Sequence, residues 1–136
     1  MEFTFPYRRE RSKLFGKIYR PVVPVDLRWE HGEWMNQKMY IDSGADISLI
    51  PLKLGDSLGF DMIYDDIKEM KVIGYSTISV IIENVNIKLC DIEFNARVAW
   101  SMIEDVPSLL GRMDIFDKFE IIFMQKEKNV VLYSKD

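Results

Sequence analysis

Cysteine is nearly absent from this chain: of its 136 residues only Cys90 carries a thiol. A disulfide framework within one chain is therefore excluded. Long apolar runs are missing too, and no stretch approaches the roughly 20 apolar residues of a membrane span. The opening residues Met1 to Glu10 contain no apolar core of an export signal. Together these absences lead us to expect a cytoplasmic protein with no membrane partner. Charge of one sign is also scarce. A formal net charge of -4 argues against nucleic acid as the main partner. No internal repeat, low-complexity tract or Gly/Ser linker interrupts the chain.

What is present suits one folded domain over residues 1–136, with 48% hydrophobic and 29% charged residues. Residues 1–15 crowd Arg8, Arg9, Arg11 and Lys13 together. They read as a solvated N-terminal arm, with a nucleic-acid patch as the lesser alternative. From residue 16 the chain turns to β-branched and aromatic residues. Lys17 to Trp29, broken by Pro21 and Pro24, reads as an edge strand or a bulged one. Glu30-His31-Gly32-Glu33 is a turn signal, and Trp34 to Ile41 returns as the second arm of a hairpin. Ile47 to Pro51 is a further short strand. Pro51 opens a short helix over Leu52 to Leu58 that stops at Gly59. Lys68 to Ile82 predicts a hairpin around Gly74. Val85 to Trp100 alternates in part, and Val130 to Tyr133 is a last strand. A second helical turn is expected over residues 111–117. Short strands with turns about every ten residues imply an all-β sandwich or closed barrel with one or two short helices.

The chemistry concentrates in Met39-Tyr40-Ile41-Asp42-Ser43-Gly44-Ala45-Asp46-Ile47-Ser48-Leu49-Ile50. An apolar strand runs into an acid, a hydroxyl, a glycine and a small residue, and then an apolar strand resumes. This pattern predicts an acid on a tight turn between buried strands. Gly44 is expected to supply a conformation closed to residues with a Cβ. Ser43 is expected to anchor the loop through its side chain, and Ala45 to keep the turn close to its neighbour. Read without analogy, the segment could also be a plain Asx turn.

The segment Asp42-Ser43-Gly44-Ala45, with Ser48 and apolar flanks, resembles the catalytic loop of aspartic proteases. Some 65 residues later, Leu109-Leu110-Gly111-Arg112 and the run to Phe123 resemble the element that closes the retropepsin core, as in prokaryotic single-domain members. Tyr19 to Val25 resembles the first core strand of those proteins. The resemblance implies an all-β acid-protease fold and an aspartic-type endopeptidase without cofactor or metal. It implies Asp42 as the catalytic acid and Ser43, Gly44 and Ala45 as its scaffold. Asp46 and Arg112, with Gly111, would support the loop and the dimer, and Ile73, Gly74, Tyr75 and Ser76 would form a flap. The flap hairpin has one glycine where many relatives have several. The chain carries one Asp-Ser-Gly triplet; Asp56-Ser57-Leu58-Gly59 is displaced by one residue and suits a helix. This chemistry needs two facing carboxylates, so the chain's expected partners are a second copy of itself and an extended peptide or unfolded protein. Two rivals remain: a peptide-binding or dimerisation module that lost turnover, and a regulatory subunit docking through the basic arm.

Other residues carry weaker signals. His31 lacks partners at metal spacing and reads as a surface histidine. Cys90 reads as a buried structural thiol in an apolar strand. Asp61, Asp65 and Asp66 lack calcium-loop spacing, and Gly111-Arg112 lacks a phosphate-loop pattern.

Overall fold

The computed structural model describes residues 1–72 and 75–134, and for Tyr75 and Ser76 the backbone alone. Among the described residues twelve strands follow in chain order: β1 Glu2–Pro6, β2 Arg8–Ser12, β3 Gly16–Arg20, β4 Val22–Arg28, β5 Met35–Ile41 and β6 Ser48–Ile50 come first. After the helix α1, Leu52–Leu58, come β7 Lys68–Val72, β8 Tyr75–Leu89, β9 Ile92–Ser101, β10 Leu109–Leu110, β11 Phe119–Met124 and β12 Asn129–Ser134. No helix among the described residues is long and apolar enough to cross a membrane.

Period-two patterning builds the barrel. In β4, Val23, Val25 and Leu27 point inward and are fully buried, while Pro24, Asp26 and Arg28 between them are only partly covered. β4 pairs antiparallel with β5 on one side and with the far end of β8 on the other. The sheet order β4-β5-β10-β6-β9-β8, closed by β8 on β4, makes a six-strand barrel from which β7 extends as an outer strand on β8. Closure hides the edges of six strands at once. Trp100 sits at the barrel's base. Its indole donates to the Leu52 carbonyl at 2.9 Å, and its ring meets Phe60 edge-on at 5.3 Å. Gly55 permits this approach, because a Cβ there would lie 2.0 Å from the indole nitrogen. Pro51 precedes α1, and Gly59, at φ +99°, ends it in the left-handed conformation.

The expected solvated arm is instead structured. β1 pairs with β12, which also pairs with β11, and β2 pairs with β3 as a two-stranded ribbon. Tyr7 between them is buried. The ribbon turns where Ser12 Oγ accepts from the amides of Leu14 and Phe15, and Gly16 takes φ +74°. The strand expected over residues 17–29 is divided at Pro21 into β3 and β4. The helical turn expected over residues 111–117 shrinks to a 3-10 turn at Phe116–Lys118. Asp114, at φ +65°, breaks any helix there and accepts hydrogen bonds from the Arg97 amide and guanidinium. Cys90 lies at the β8–β9 turn with φ +58°, half-buried rather than within a strand. Burial and the neighbouring Asp91 push its thiol up to about 12, which keeps it protonated and a poor nucleophile.

Candidate active site

β5 delivers Asp42 to the loop. Its backbone is held by two segments: the Tyr40 and Asp42 amides donate to the Ser108 and Leu110 carbonyls around β10, both at 3.0 Å, and the Ile41 amide donates to the Pro21 carbonyl at 2.9 Å. The two-residue β10 achieves this by lying parallel to β5 and antiparallel to β6, between the two strands that flank the loop. Alternation along β5 buries Met39 and Ile41, so Tyr40 and Asp42 share the opposite face.

Within the loop, the Gly44 amide donates to Asp42 Oδ1 at 2.9 Å and the Ala45 amide to the Asp42 carbonyl at 3.2 Å. The carboxylate therefore has a fixed orientation while remaining partly open to solvent. Gly44 does not adopt a positive φ, contrary to expectation. A Cβ there would instead sit 3.3 Å from Asp42 Oδ1, so glycine keeps the carboxylate clear. Ser43 is exposed and makes no hydrogen bond among the described residues. Anchoring falls to Ser48, fully buried, whose Oγ accepts from the Gly111 amide at 3.0 Å.

At Gly111 two backbones come close together. A Cβ there would lie 2.4 Å from the Ile47 carbonyl carbon and 2.5 Å from its oxygen. The next two amides continue the clamp: Arg112 donates to the Ala45 carbonyl at 2.9 Å and Met113 to the Asp46 carbonyl at 2.8 Å. The Arg112 guanidinium also donates to Asp46 Oδ1, and both side chains are largely exposed. Asp42, Gly44, Ala45, Asp46, Gly111 and Arg112 are thus brought together. Ile73 and Gly74 lie outside the described residues, as do the side chains of Tyr75 and Ser76. The strands leading to that tip, β7 and β8, are paired, with a register shift between Met70 and Val72.

Two clefts flank the loop. One, about 600 Å³, is lined by Asp42, Gly44 and Ala45 together with Glu10, Arg20 and Tyr40. The other, about 350 Å³, is lined mainly by Ile47, Leu49, Met70, Val72 and Leu109. Sequence reasoning placed Arg8 only in a basic arm and did not single out Glu10 or Arg20. The available signal was Tyr40, two residues before Asp42 and so on its face of the strand.

No family model matches the chain, and no curated protein does. Solved structures do match. A retropepsin-like aspartic protease from Rickettsia conorii superposes with a TM-score of 0.61 at 17% identity, covering 97% of this chain and 90% of that one. EIAV protease, complexed with the inhibitor HBY-793, superposes with a TM-score of 0.57 at 20% identity, covering 72% and 86%. The fold is that of the retropepsin-like aspartic proteases. On this retropepsin fold, the six-strand barrel carries the Asp42 loop at the junction of β5, β10 and β6.

Proposed function

We propose that the protein is an aspartic endopeptidase that works as a homodimer, with Asp42 of each copy forming the catalytic pair. The observation that carries this reading is the Asp42 carboxylate, oriented by the Gly44 amide and opening onto the 600 Å³ cleft. The retropepsin fold supports it. So does the arithmetic of acids, since the chain has one Asp-Ser-Gly triplet and the reaction needs two carboxyls.

Two carboxylates about 4 Å apart repel by roughly 4 kcal/mol at an effective dielectric near 20. The pair therefore retains one proton between them over a wide pH range. The ionised member takes a proton from a water held between them, and that water attacks the peptide carbonyl. The protonated member donates a hydrogen bond to the developing oxyanion. The leaving amine then takes up a proton as the carbon–nitrogen bond breaks. The substrate lies extended in the cleft, with its side chains falling alternately to either side. Ser43 bonds across the two-fold axis, and the Asp46–Arg112 pair supports the loop from below.

Cleavage of an unstructured protein by wild type and by Asp42→Asn tests the reading. Loss of cleavage in the variant is expected, and equal cleavage by both excludes the mechanism. Activity is expected at acid to mildly acid pH, and a peptidase working only well above neutral contradicts it. Arg112→Ala is expected to weaken the dimer in sedimentation velocity; an unchanged dimer removes that role.

A further inference from the structure

Among the described residues, the β2–β3 ribbon pairs only with itself and stands outside the barrel sheet. Its tie to β5 is a compact polar cluster beside Asp42. The Tyr40 hydroxyl donates to Glu10 Oε2 at 2.7 Å. The same oxygen accepts from Arg8 Nε at 2.9 Å and Nη2 at 2.7 Å, and Arg8 Nη2 also donates to the Tyr40 hydroxyl at 2.9 Å. Arg20 Nε lies 3.1 Å from the other Glu10 oxygen. The guanidinium carbons of Arg8 and Arg20 sit 5.3 and 5.8 Å from the centre of the Tyr40 ring. The phenol is thus fixed at its tip by charge-assisted hydrogen bonds and along its ring by two cations.

We propose that Glu10 is a positioning residue that acts through Tyr40, fixing the wall of the substrate cleft beside Asp42. This inference rests on the reading of Asp42 as the acid of a peptidase. Glu10, Arg20, Tyr40 and Asp42 line one cleft. Tyr40 shares a strand face with Asp42, with the buried Ile41 between them. A peptide side chain entering that cleft therefore meets a ring whose place is set by a carboxylate on a separate ribbon. Without Glu10, the phenol loses its acceptor and the two guanidinium groups lose the charge between them. Glu10 hydrogen-bonds to Tyr40 and Arg8 and not to Asp42, so its loss is felt in substrate binding rather than in the chemical step.

The test compares Glu10→Gln, Tyr40→Phe and their combination, with Arg8→Lys as a second route to the same cluster. The kinetic arm uses a fluorogenic peptide built on a site that wild type cuts in an unfolded protein. The binding arm measures polarisation of labelled peptides from an unfolded-protein digest on chains that also carry Asp42→Asn. Each single change is expected to raise KM, and Kd in the binding arm, about fivefold with kcat within about twofold. The combination is expected to cost no more than either change alone, because both act through one bond. Arg8→Lys is expected to move KM in the same direction. Additive effects, a change in kcat alone, or unchanged affinity in every variant overturns the proposal. If wild type cuts nothing yet binds peptides, the peptidase reading fails while the coupled loss of affinity still supports the role of Glu10. If the chain neither cuts nor binds, both fall.

Discussion

The two clefts beside the acid loop share Gly44, Ala45, Val72 and Leu109 and differ in what the rest of the chain adds to each. On the ribbon side, Glu10, Arg20 and Tyr40 form a charged wall, cross-linked by hydrogen bonds to Arg8. On the β7 side, Ile47, Leu49 and Met70 add apolar surface, with Asp46, Lys71 and Arg112 also lining the cleft. Charged geometry is directional and fails when one partner is removed, whereas an apolar wall accepts side chains by size. The loop itself belongs to both clefts through Gly44 and Ala45. The difference teaches that the polar contacts around Tyr40 come from a ribbon outside the barrel, while the second cleft is built by β7 and the residues that follow the acid loop.

The comparison breaks most completely at Asp42. Asp42→Asn is expected to lower peptide cleavage by about a thousandfold or more, read as kcat/KM, while both clefts keep their shape. Next comes their shared support. Gly111→Ala forces a Cβ onto the Ile47 carbonyl and is expected to cost about 3 kcal/mol, seen as a fall in the urea midpoint with unchanged slope. Ser48→Ala leaves the Gly111 amide without its acceptor and is expected to cost about 1 to 3 kcal/mol in the same assay. Met70→Lys adds a cation to the β7-side cleft in place of an apolar side chain. It is expected to shift cleavage toward acidic side chains by about tenfold, as measured by profiling cut sites in an unfolded protein. An unchanged profile would mean that this cleft takes no substrate side chain.

The smallest expected effect sharpens the charged side. Burial pushes the Glu10 carboxyl up, but hydrogen bonds from Tyr40 and Arg8 and the charges of Arg8 and Arg20 outweigh it, holding the group below the usual carboxylate range. A depressed folded value contributes stability that is present above about pH 4.3 and is lost as pH falls through the folded value. The cluster is partly exposed, so this contribution is expected to stay below about 1 kcal/mol. Glu10→Gln should therefore lower the melting temperature slightly near neutral pH, with the difference from wild type shrinking as the pH falls, so that the acid side of the profile is flatter.

Much of this organisation was legible in the amino-acid order. Val23, Val25 and Leu27 alternate with polar or partly covered neighbours, which marks a half-buried strand. Pro51 and Gly59 bracket α1 because each has a backbone preference that shows without tertiary context. The acid loop was visible because its residue types are unusual together. What escaped notice depends on pairing at a distance. Arg8–Ser12 has no apolar face to show its period, and its register comes from the turn at Ser12 to Gly16. Glu10 and Tyr40 are 30 positions apart, so nothing local announces their bond. The reason for glycine at position 44 also lay elsewhere. A Cβ there would crowd a carboxylate oxygen, and the dihedral angle is one that other residues adopt.

The squeeze of Gly111 onto Ile47 and Ser48 has a bearing on redesign. Residues 42–48 and 109–113 are distant in the chain, yet they behave as one interlocked part, joined by amides from Gly111, Arg112 and Met113. A graft that imports a foreign acid loop without its matching second segment would meet a steric block before any chemistry could be assessed. Exchanging the two together, as a single cassette, is the transplant this architecture permits.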